Sequence, residues 1–203
     1  MSAPQYIPNL AAAFHHTRFI ARRKLFSFLD LKFYFEDDAG NGFGFVKRKA
    51  LELREDIRVF TDESMMTALL VVTARSILDF SSAYDVVESA SNQKVGALKR
   101  RGWKSLMRDE WIIVDANDLE IGRIREDSAV LALLRRFVTN LIPQSYDFEV
   151  AGSPVGCATH TFNIFAPQMN VDSTADVSHA LAPLIRIAST ALLISLEGRT
   201  RGA

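Results

Sequence analysis

The feature that most constrains the fold is an apolar stretch near the C-terminus, residues 183–196. Pro183 suits the first turn of a helix, where its missing N–H costs nothing, and Glu197-Gly198 supplies a stop. Seven large aliphatic side chains lie around most of the helical wheel: Leu184, Ile185, Ile187, Leu192, Leu193, Ile194 and Leu196. Such a helix must be surrounded by protein or lipid. Fourteen residues that include Arg186 are too few for a bilayer span of about twenty, so the rest of the chain is predicted to enclose this helix.

Charge and cysteine content narrow the class of protein. Lys and Arg number 24 and Asp and Glu number 24, so no global field favours nucleic acid or an anionic membrane, although local patches remain possible. No nucleic-acid partner is expected. The single cysteine, Cys157, excludes an intramolecular disulfide and fits a reducing compartment. It is predicted to be an inert core residue. The longest uncharged run, 150–171, contains prolines and polar residues and predicts no transmembrane segment. We expect a cytoplasmic protein, either free or peripheral at a membrane.

Residues 1–23 are predicted to be a lead-in, because Pro4 and Pro8 interrupt them and no secretory signal pattern is present. Residues 24–203 are predicted to form one domain. From residue 24 the apolar period is two, which is typical of strands. Four hairpins are expected: 32–37 with 42–48, 84–88 with 94–100, 110–115 with 120–126, and 145–150 with 157–164.

Asp38-Ala-Gly-Asn41 supplies the turn of the first hairpin, and Gly152-Ser-Pro154 that of the last. The imperfect alternation around Ile121 and Ile124 indicates a bulge. Other strands are expected at 56–61, 68–73 and 169–171, with a short apolar piece at 77–80. A helix is expected at 129–138, capped by Asp127-Ser128 and ended by Pro143.

Nine to twelve short strands and a terminal apolar helix predict a mostly β protein with minor α. A closed antiparallel barrel removes its own sheet edges and offers an interior for the helix. The alternative is a β-sandwich with the helix across one face.

The order of several stretches resembles the Tubby C-terminal-like superfamily, in its LURP-one-related and phospholipid-scramblase-like branches. The stretches that carry the resemblance are Lys32-Phe-Tyr-Phe-Glu-Asp-Asp-Ala-Gly-Asn-Gly42 with Val46-Lys47, Asp56-Ile-Arg-Val-Phe60, Tyr84-Asp-Val-Val87, Val95-Gly96, Lys104-Ser105, Arg108-Asp-Glu-Trp111, Ile121-Gly122 and the final helix. The resemblance runs from about Phe19 to Leu196. It implies a closed barrel of about twelve strands around the C-terminal helix.

The resemblance says less about function. Tubby-like domains bind phosphoinositide head groups, and scramblase-like members are associated with lipid movement and calcium. LURP-one-related members mostly lack an assigned activity. This chain lacks the cysteine-rich segment and the long C-terminal membrane anchor of the scramblases, and it has no stretch onto which Tubby's phosphoinositide-binding residues can be carried.

The densest basic stretch is the candidate site for an anion or lipid head group. It comprises Lys99, Arg100, Arg101, Lys104 and Arg108, with Lys94 and Trp103 nearby. The alternative is a solvated loop whose cations pair with Asp109, Glu110 and their neighbours. Arg22-Arg-Lys24 and Lys47-Arg-Lys49 are equally ambiguous, and the binding interpretation would strengthen if two of the three clusters met in space.

Other chemistry finds little support. The loop from Asp37 to Gly42 fails the EF-hand pattern and indicates a turn. The four histidines lack metal-ligand spacing, so neither a metal nor another cofactor is expected. His160 and Cys157 fall on opposite faces of one strand, which disfavours a nucleophile pair. Arg186 is expected to reach a barrel mouth, where it pairs with a carboxylate or helps to bind an anionic ligand.

The leading hypothesis is a non-enzymatic Tubby-like barrel that binds a phospholipid head group, another anionic ligand or a protein partner. The alternatives are scramblase-like lipid handling at a membrane surface and a purely structural scaffold. A hydrolase has no positive sign in the sequence.

Overall fold

The computed structural model describes residues 16–24, 30–49, 56–76, 83–101, 110–127, 144–161 and 168–200, with only the backbone described for residues 49 and 196–200. These residues form twelve β-strands and one α-helix. The strands are β1 Arg18–Lys24, β2 Asp30–Glu36, β3 Gly42–Lys49, β4 Asp56–Phe60, β5 Ala68–Ala74, β6 Ala83–Glu88, β7 Gln93–Arg100, β8 Glu110–Val114, β9 Glu120–Glu126, β10 Ser145–Val150, β11 Ser153–Thr161 and β12 Gln168–Asp172. The helix, α1, is Pro183–Thr200.

The strands form a closed antiparallel barrel in which each strand pairs with its neighbours in sequence. The barrel closes where β1 pairs with β12, with Arg18 opposite Asp172 and Phe19 opposite Val171. This is the predicted barrel, and the sandwich alternative is wrong. Every described strand therefore has two neighbours, so no sheet edge is left unpaired among them.

Helix α1 is buried on all sides from Leu184 to Ser195, as its mostly apolar circumference predicts. Leu184, at 8% exposure, is the most exposed of its buried apolar residues. Even the polar sector is inside, and Ser189 and Thr190 donate their hydroxyls to helix carbonyls at 2.7 and 2.9 Å. The helix thus fills the barrel interior. Within the described part of the chain, no helix is long and apolar enough to cross a bilayer.

Three predicted boundaries need correction. The helix continues past Gly198 to Thr200, because a glycine reduces helix propensity without preventing helix formation. The barrel begins at Arg18, inside the segment assigned to the lead-in, since Phe19 and Ala21 point into the core while charged residues alternate with them. The last hairpin turns at Ala151 and Gly152, both with positive φ.

Other predictions on local structure have mixed outcomes. The bulge is confirmed: Ile113 pairs with Gly122 and Val114 with Glu120, which leaves Ile121 as the extra residue. The helix expected at 129–138 and the apolar piece at 77–80 lie outside the described residues.

Alternating strand direction gives the barrel two different ends. The upper end, where β1 starts and α1 begins, carries the connections 37–41, 61–67, 89–92, 115–119, 151–152 and 173–182. Asp37, Asp62, Asp115, Asp172 and Asp176 each accept one or two backbone N–H groups within these connections at 2.7–2.9 Å. The turn chemistry expected after Asp37 is therefore confirmed, and it recurs at this end. At the lower end the odd-numbered strands finish.

Gly122 gives a direct test of strand packing. It lies opposite Ile113 and Val150, and a Cβ placed on it would overlap the backbone carbonyl of Glu149, which cannot move aside as a side chain could. We expect Gly122→Ala to cost about 1–3 kcal/mol, measured as a lower urea midpoint. Gly42→Ala is the control, because no atom lies within 4 Å of its Cβ position. Equal losses in the two variants would contradict the packing described.

Candidate functional site

The predicted basic cluster is only partly described. Lys99, Arg100 and Arg101 lie at the lower end of β7, whereas Lys104 and Arg108 lie outside the described residues. The role of this cluster in anion binding therefore stays a prediction. The contacts of its three described members can be stated.

Lys99 belongs to an ion-pair network on the outer face of the barrel. Its Nζ lies 3.7 Å from Asp118 Oδ1, which also accepts from Arg75 at 2.5 Å and from Lys94 at 2.9 Å. Asp85 accepts from the same Arg75 at 2.6 Å. The hydrogen bonds from Arg75 and Lys94 hold the pKa of Asp118 well below its usual range. This network ties the β8–β9 turn to β5, β6 and β7.

The other two described members are also engaged. Arg101 Nη1 donates to both carboxylate oxygens of Glu110, at 3.1 and 3.2 Å, and the guanidinium of Arg100 lies 5.8 Å from the centroid of the Trp111 ring. The pairing with Glu110 is the one that the solvated-loop interpretation predicts.

The pleat of the strands divides each basic triplet. Arg23, Arg48 and Arg100, the middle residues, face inward at the lower end, opposite buried Phe33, Leu31 and Trp111 respectively. Arg48 is 4% exposed, and burial lowers the pKa of Arg23. This is the end where α1 finishes, and the helix dipole favours positive charge there. These three arginines can therefore stabilise the C-terminal end of α1 electrostatically.

The outward members of two triplets meet on the sheet. Lys24 pairs with Lys32, and Lys32 pairs with Lys47, so three lysines stand directly opposite one another on β1, β2 and β3. Arg58 extends the line on β4. Val46 pairs with Val59, so the next residues of the two antiparallel strands, Lys47 and Arg58, lie opposite each other. We call Lys24, Lys32, Lys47 and Arg58 the cationic row. Two of the three basic clusters therefore come together on the sheet, which strengthens the binding interpretation.

Carboxylates compensate the row at two points. Lys47 pairs with Asp30 at 3.3 Å. Lys24 donates to the Tyr34 hydroxyl at 3.3 Å, and Tyr34 donates to Glu63 at 2.5 Å, with Glu63 itself 4.0 Å from Lys24. The hydrogen bond and charge of Tyr34, followed by the charge of Glu63, raise the pKa of Lys24.

Lys32 and Arg58 are not compensated. Neither makes an ion pair or a hydrogen bond with its side chain within the described part of the chain. Lys32 is half-buried between two other lysines, and like charges directly opposite each other on a sheet destabilise it. An anion that bridged the row would remove this repulsion.

Sequence reasoning missed Lys32 and Arg58 because each is a single charge in an alternating strand. Their alignment depends on register, and one extra residue between the Phe35–Gly44 and Glu36–Gly42 pairs displaces the β2–β3 register. The register could have been predicted by counting residues outward from the predicted turn, but the bulge makes that count wrong by one residue.

Neither of two surface hollows has an excess of arginines over carboxylates: the first is lined by one arginine and two aspartates, and the second by two arginines and two glutamates. A hollow of about 320 Å³ lies beside Arg18, which pairs with Asp172 at 3.5 Å and with Asp38 at 3.8 Å. A hollow of about 450 Å³ between β9 and β10 has its arginines bound by neighbouring carboxylates: Arg123 by Glu120 at 2.7 Å and Arg125 by Glu149 at 3.2 Å. Neither hollow has a net attraction comparable to that of the row.

The remaining candidates have structural roles. Arg186, 2% exposed, donates to the Ser173 hydroxyl at 2.5 Å, and its pKa is lowered by burial while the nearby Asp176 carboxylate opposes that shift. Cys157 lies half-buried on the outer face and not in the core, because β11 turns His160 inward instead. Burial raises the pKa of the Cys157 thiol. No group of three or more potential metal ligands occurs among the described residues.

Removing the carboxylate of Asp118 tests the ion-pair network. Because the pKa of Asp118 is lower in the folded state, its carboxylate stabilises the fold at pH values above the unfolded-state pKa of about 3.9. This stabilisation is lost as the pH falls through the folded-state pKa. We expect Asp118→Asn to lower the urea midpoint at neutral pH, and less so in about 1 M salt, because salt screens the interaction. Asp38→Asn is the control, since its pair with Arg18 is long, at 3.8 Å, and exposed. An unchanged midpoint in Asp118→Asn would contradict the network.

No family model matches the chain, and no curated protein or solved structure matches it significantly. The relationship to Tubby-like proteins therefore stays a prediction from the sequence. What the molecule does has to be inferred from its own surface, on which the cationic row holds two cations that pair with no carboxylate of the described residues.

Proposed function

We propose that this protein is a non-enzymatic, Tubby-like barrel that binds the phosphorylated head group of an anionic phospholipid through the cationic row. The closed barrel of twelve strands with its C-terminal helix supports the proposal, because it is the architecture that the resemblance implies. The observation that carries it is Lys32, which lies between Lys24 and Lys47 and pairs with no carboxylate of the described residues.

The spacing of the row suits a ligand with more than one phosphate group. Side chains directly opposite each other on neighbouring strands have Cβ atoms about 4.5–5.5 Å apart. Lysine ammonium groups and the Arg58 guanidinium can each donate to phosphate oxygens, and flexible lysine stems can adapt to the separation. Because α1 fills the interior, a ligand on the outer face requires no opening of the barrel.

The free thiol of Cys157 supports a cytoplasmic location, where anionic lipids give the membrane surface a negative potential. An acidic protein partner would use the same row. Scramblase-like lipid handling and a scaffold role are alternatives, to be considered if binding is absent.

The Lys32→Ala/Arg58→Ala variant tests the row. We expect it to lower affinity for vesicles that contain phosphatidylserine or a phosphoinositide by roughly fivefold per residue, since a cation near such a surface contributes about 1 kcal/mol. Binding should also weaken at high salt, and neutral vesicles should bind little. The measurement is vesicle co-sedimentation. The Lys99→Ala/Arg101→Ala variant is the comparison; loss of binding in that variant alone would assign the site to the basic cluster and refute the row.

Glu63 is expected to compete with the ligand for Lys24 and Tyr34. Glu63→Gln removes the negative charge 4.0 Å from Lys24, so affinity for anionic vesicles should rise a few fold. Glu120→Gln is a matched control: its carboxylate is similarly exposed, 45% against 53%, but pairs with Arg123 away from the row. An equal effect of both changes would indicate net charge alone.

A further inference from the structure

The β4–β5 loop, residues 61–67, is internally well bonded although it projects from the barrel. Thr61 N donates to Thr67 O at 3.0 Å and closes the loop. Within it, Met65 N donates to Asp62 O at 3.2 Å, and Asp62 Oδ1 accepts from Ser64 N at 2.8 Å. These bonds fix the backbone around two consecutive methionines.

Those methionines are exposed. Met66 is 87% exposed and Met65 is 40% exposed, and Met66 is the most exposed large apolar side chain among the described residues. A defined loop that holds an apolar side chain in water suggests a partner that would cover it.

The loop lies beside the cationic row. Glu63 reaches back from the loop to the Tyr34 hydroxyl at 2.5 Å and lies 4.0 Å from Lys24. Arg58 precedes the start of the loop by only three residues on β4. The exposed methionine and the cations therefore share one outer region of the barrel.

A bilayer matches this combination of side chains. Its phosphates can accept hydrogen bonds from the cations, and apolar side chains of peripheral proteins lie about 5–10 Å into the boundary between head groups and acyl chains. A soluble polyanion would satisfy the cations and leave Met66 in water. Asp62 and Glu63 keep their negative charge although they accept hydrogen bonds from Ser64 and Tyr34, so they oppose binding and the cationic row has to outweigh them.

We propose that Met66 inserts into the same bilayer whose anionic head groups bind to the cationic row. The ligand is then a lipid within a membrane, and not a free phosphorylated molecule. This inference rests on the proposed function, because insertion adds to the attraction that the row supplies.

The experiment compares Met66→Asp and Met66→Leu with the unchanged protein. The probes are vesicles of phosphatidylcholine with phosphatidylserine, measured by co-sedimentation, and soluble inositol hexakisphosphate, measured by calorimetry. We expect Met66→Asp to weaken vesicle binding at least fivefold and to leave binding of inositol hexakisphosphate unchanged, whereas Met66→Leu should bind both normally. Val177→Asp is the matched control, because Val177 is 85% exposed on the separate connection 173–182. It should not change vesicle binding.

The outcomes separate this inference from the proposed function. If the unchanged protein binds neither probe, the proposed function fails and the inference fails with it. If it binds both probes and Met66→Asp behaves like it, the row binds anions without insertion, and only the inference is overturned. Equal weakening by Met66→Asp and Val177→Asp, or equal weakening towards both probes, also overturns it.

Discussion

The structure depends on the burial of α1, because a helix that is apolar around most of its circumference has no broad polar face to turn toward water. Burying it from all sides requires a wall that closes on itself, and β1 completes that wall by pairing with β12. Polar groups on the helix are accommodated one by one: Ser189 and Thr190 donate to the helix carbonyls, and Arg186 donates to Ser173. Since the interior is taken up by this helix, the outer face is left for recognition.

The distribution of charge follows from how the two ends are built. At the upper end aspartates fold the turns by accepting backbone N–H groups, and α1 begins there with the positive end of its dipole. At the lower end Arg23, Arg48 and Arg100 point inward where the helix finishes. Negative side chains thus lie at the positive end of the helix dipole, and positive side chains lie at its negative end. The described charges at each end therefore complement the end of the helix dipole that they face.

Local signals predicted most of the barrel, because turn residues and strand alternation act over a few neighbouring positions. The helix was predictable from its apolar pattern and from Pro183, but its end was not, since the helix continues through Gly198 to Thr200. Strand β1 was missed because Arg23, a charged residue, takes the inward position that follows Phe19 and Ala21 in the alternation. The cationic row depends on pairing across strands and on a bulge, and neither is written in neighbouring residues. Runs of consecutive basic residues were a poor guide to the site, because the pleat of a strand turns alternate side chains of such a run inward.

The pairing of β1 with β12 has a kinetic consequence. Arg18 finds its partner Asp172 across almost the whole chain, and the helix that fills the interior follows later still. Hairpins can form during synthesis, but their apolar inner faces have nothing to bury against until residues 183–200 have been made. The ring closes only through these distant contacts, which form more slowly than hairpins, and until then β1 and β12 each expose an unpaired edge. The nascent chain is therefore expected to depend on chaperones until its last helix enters the barrel.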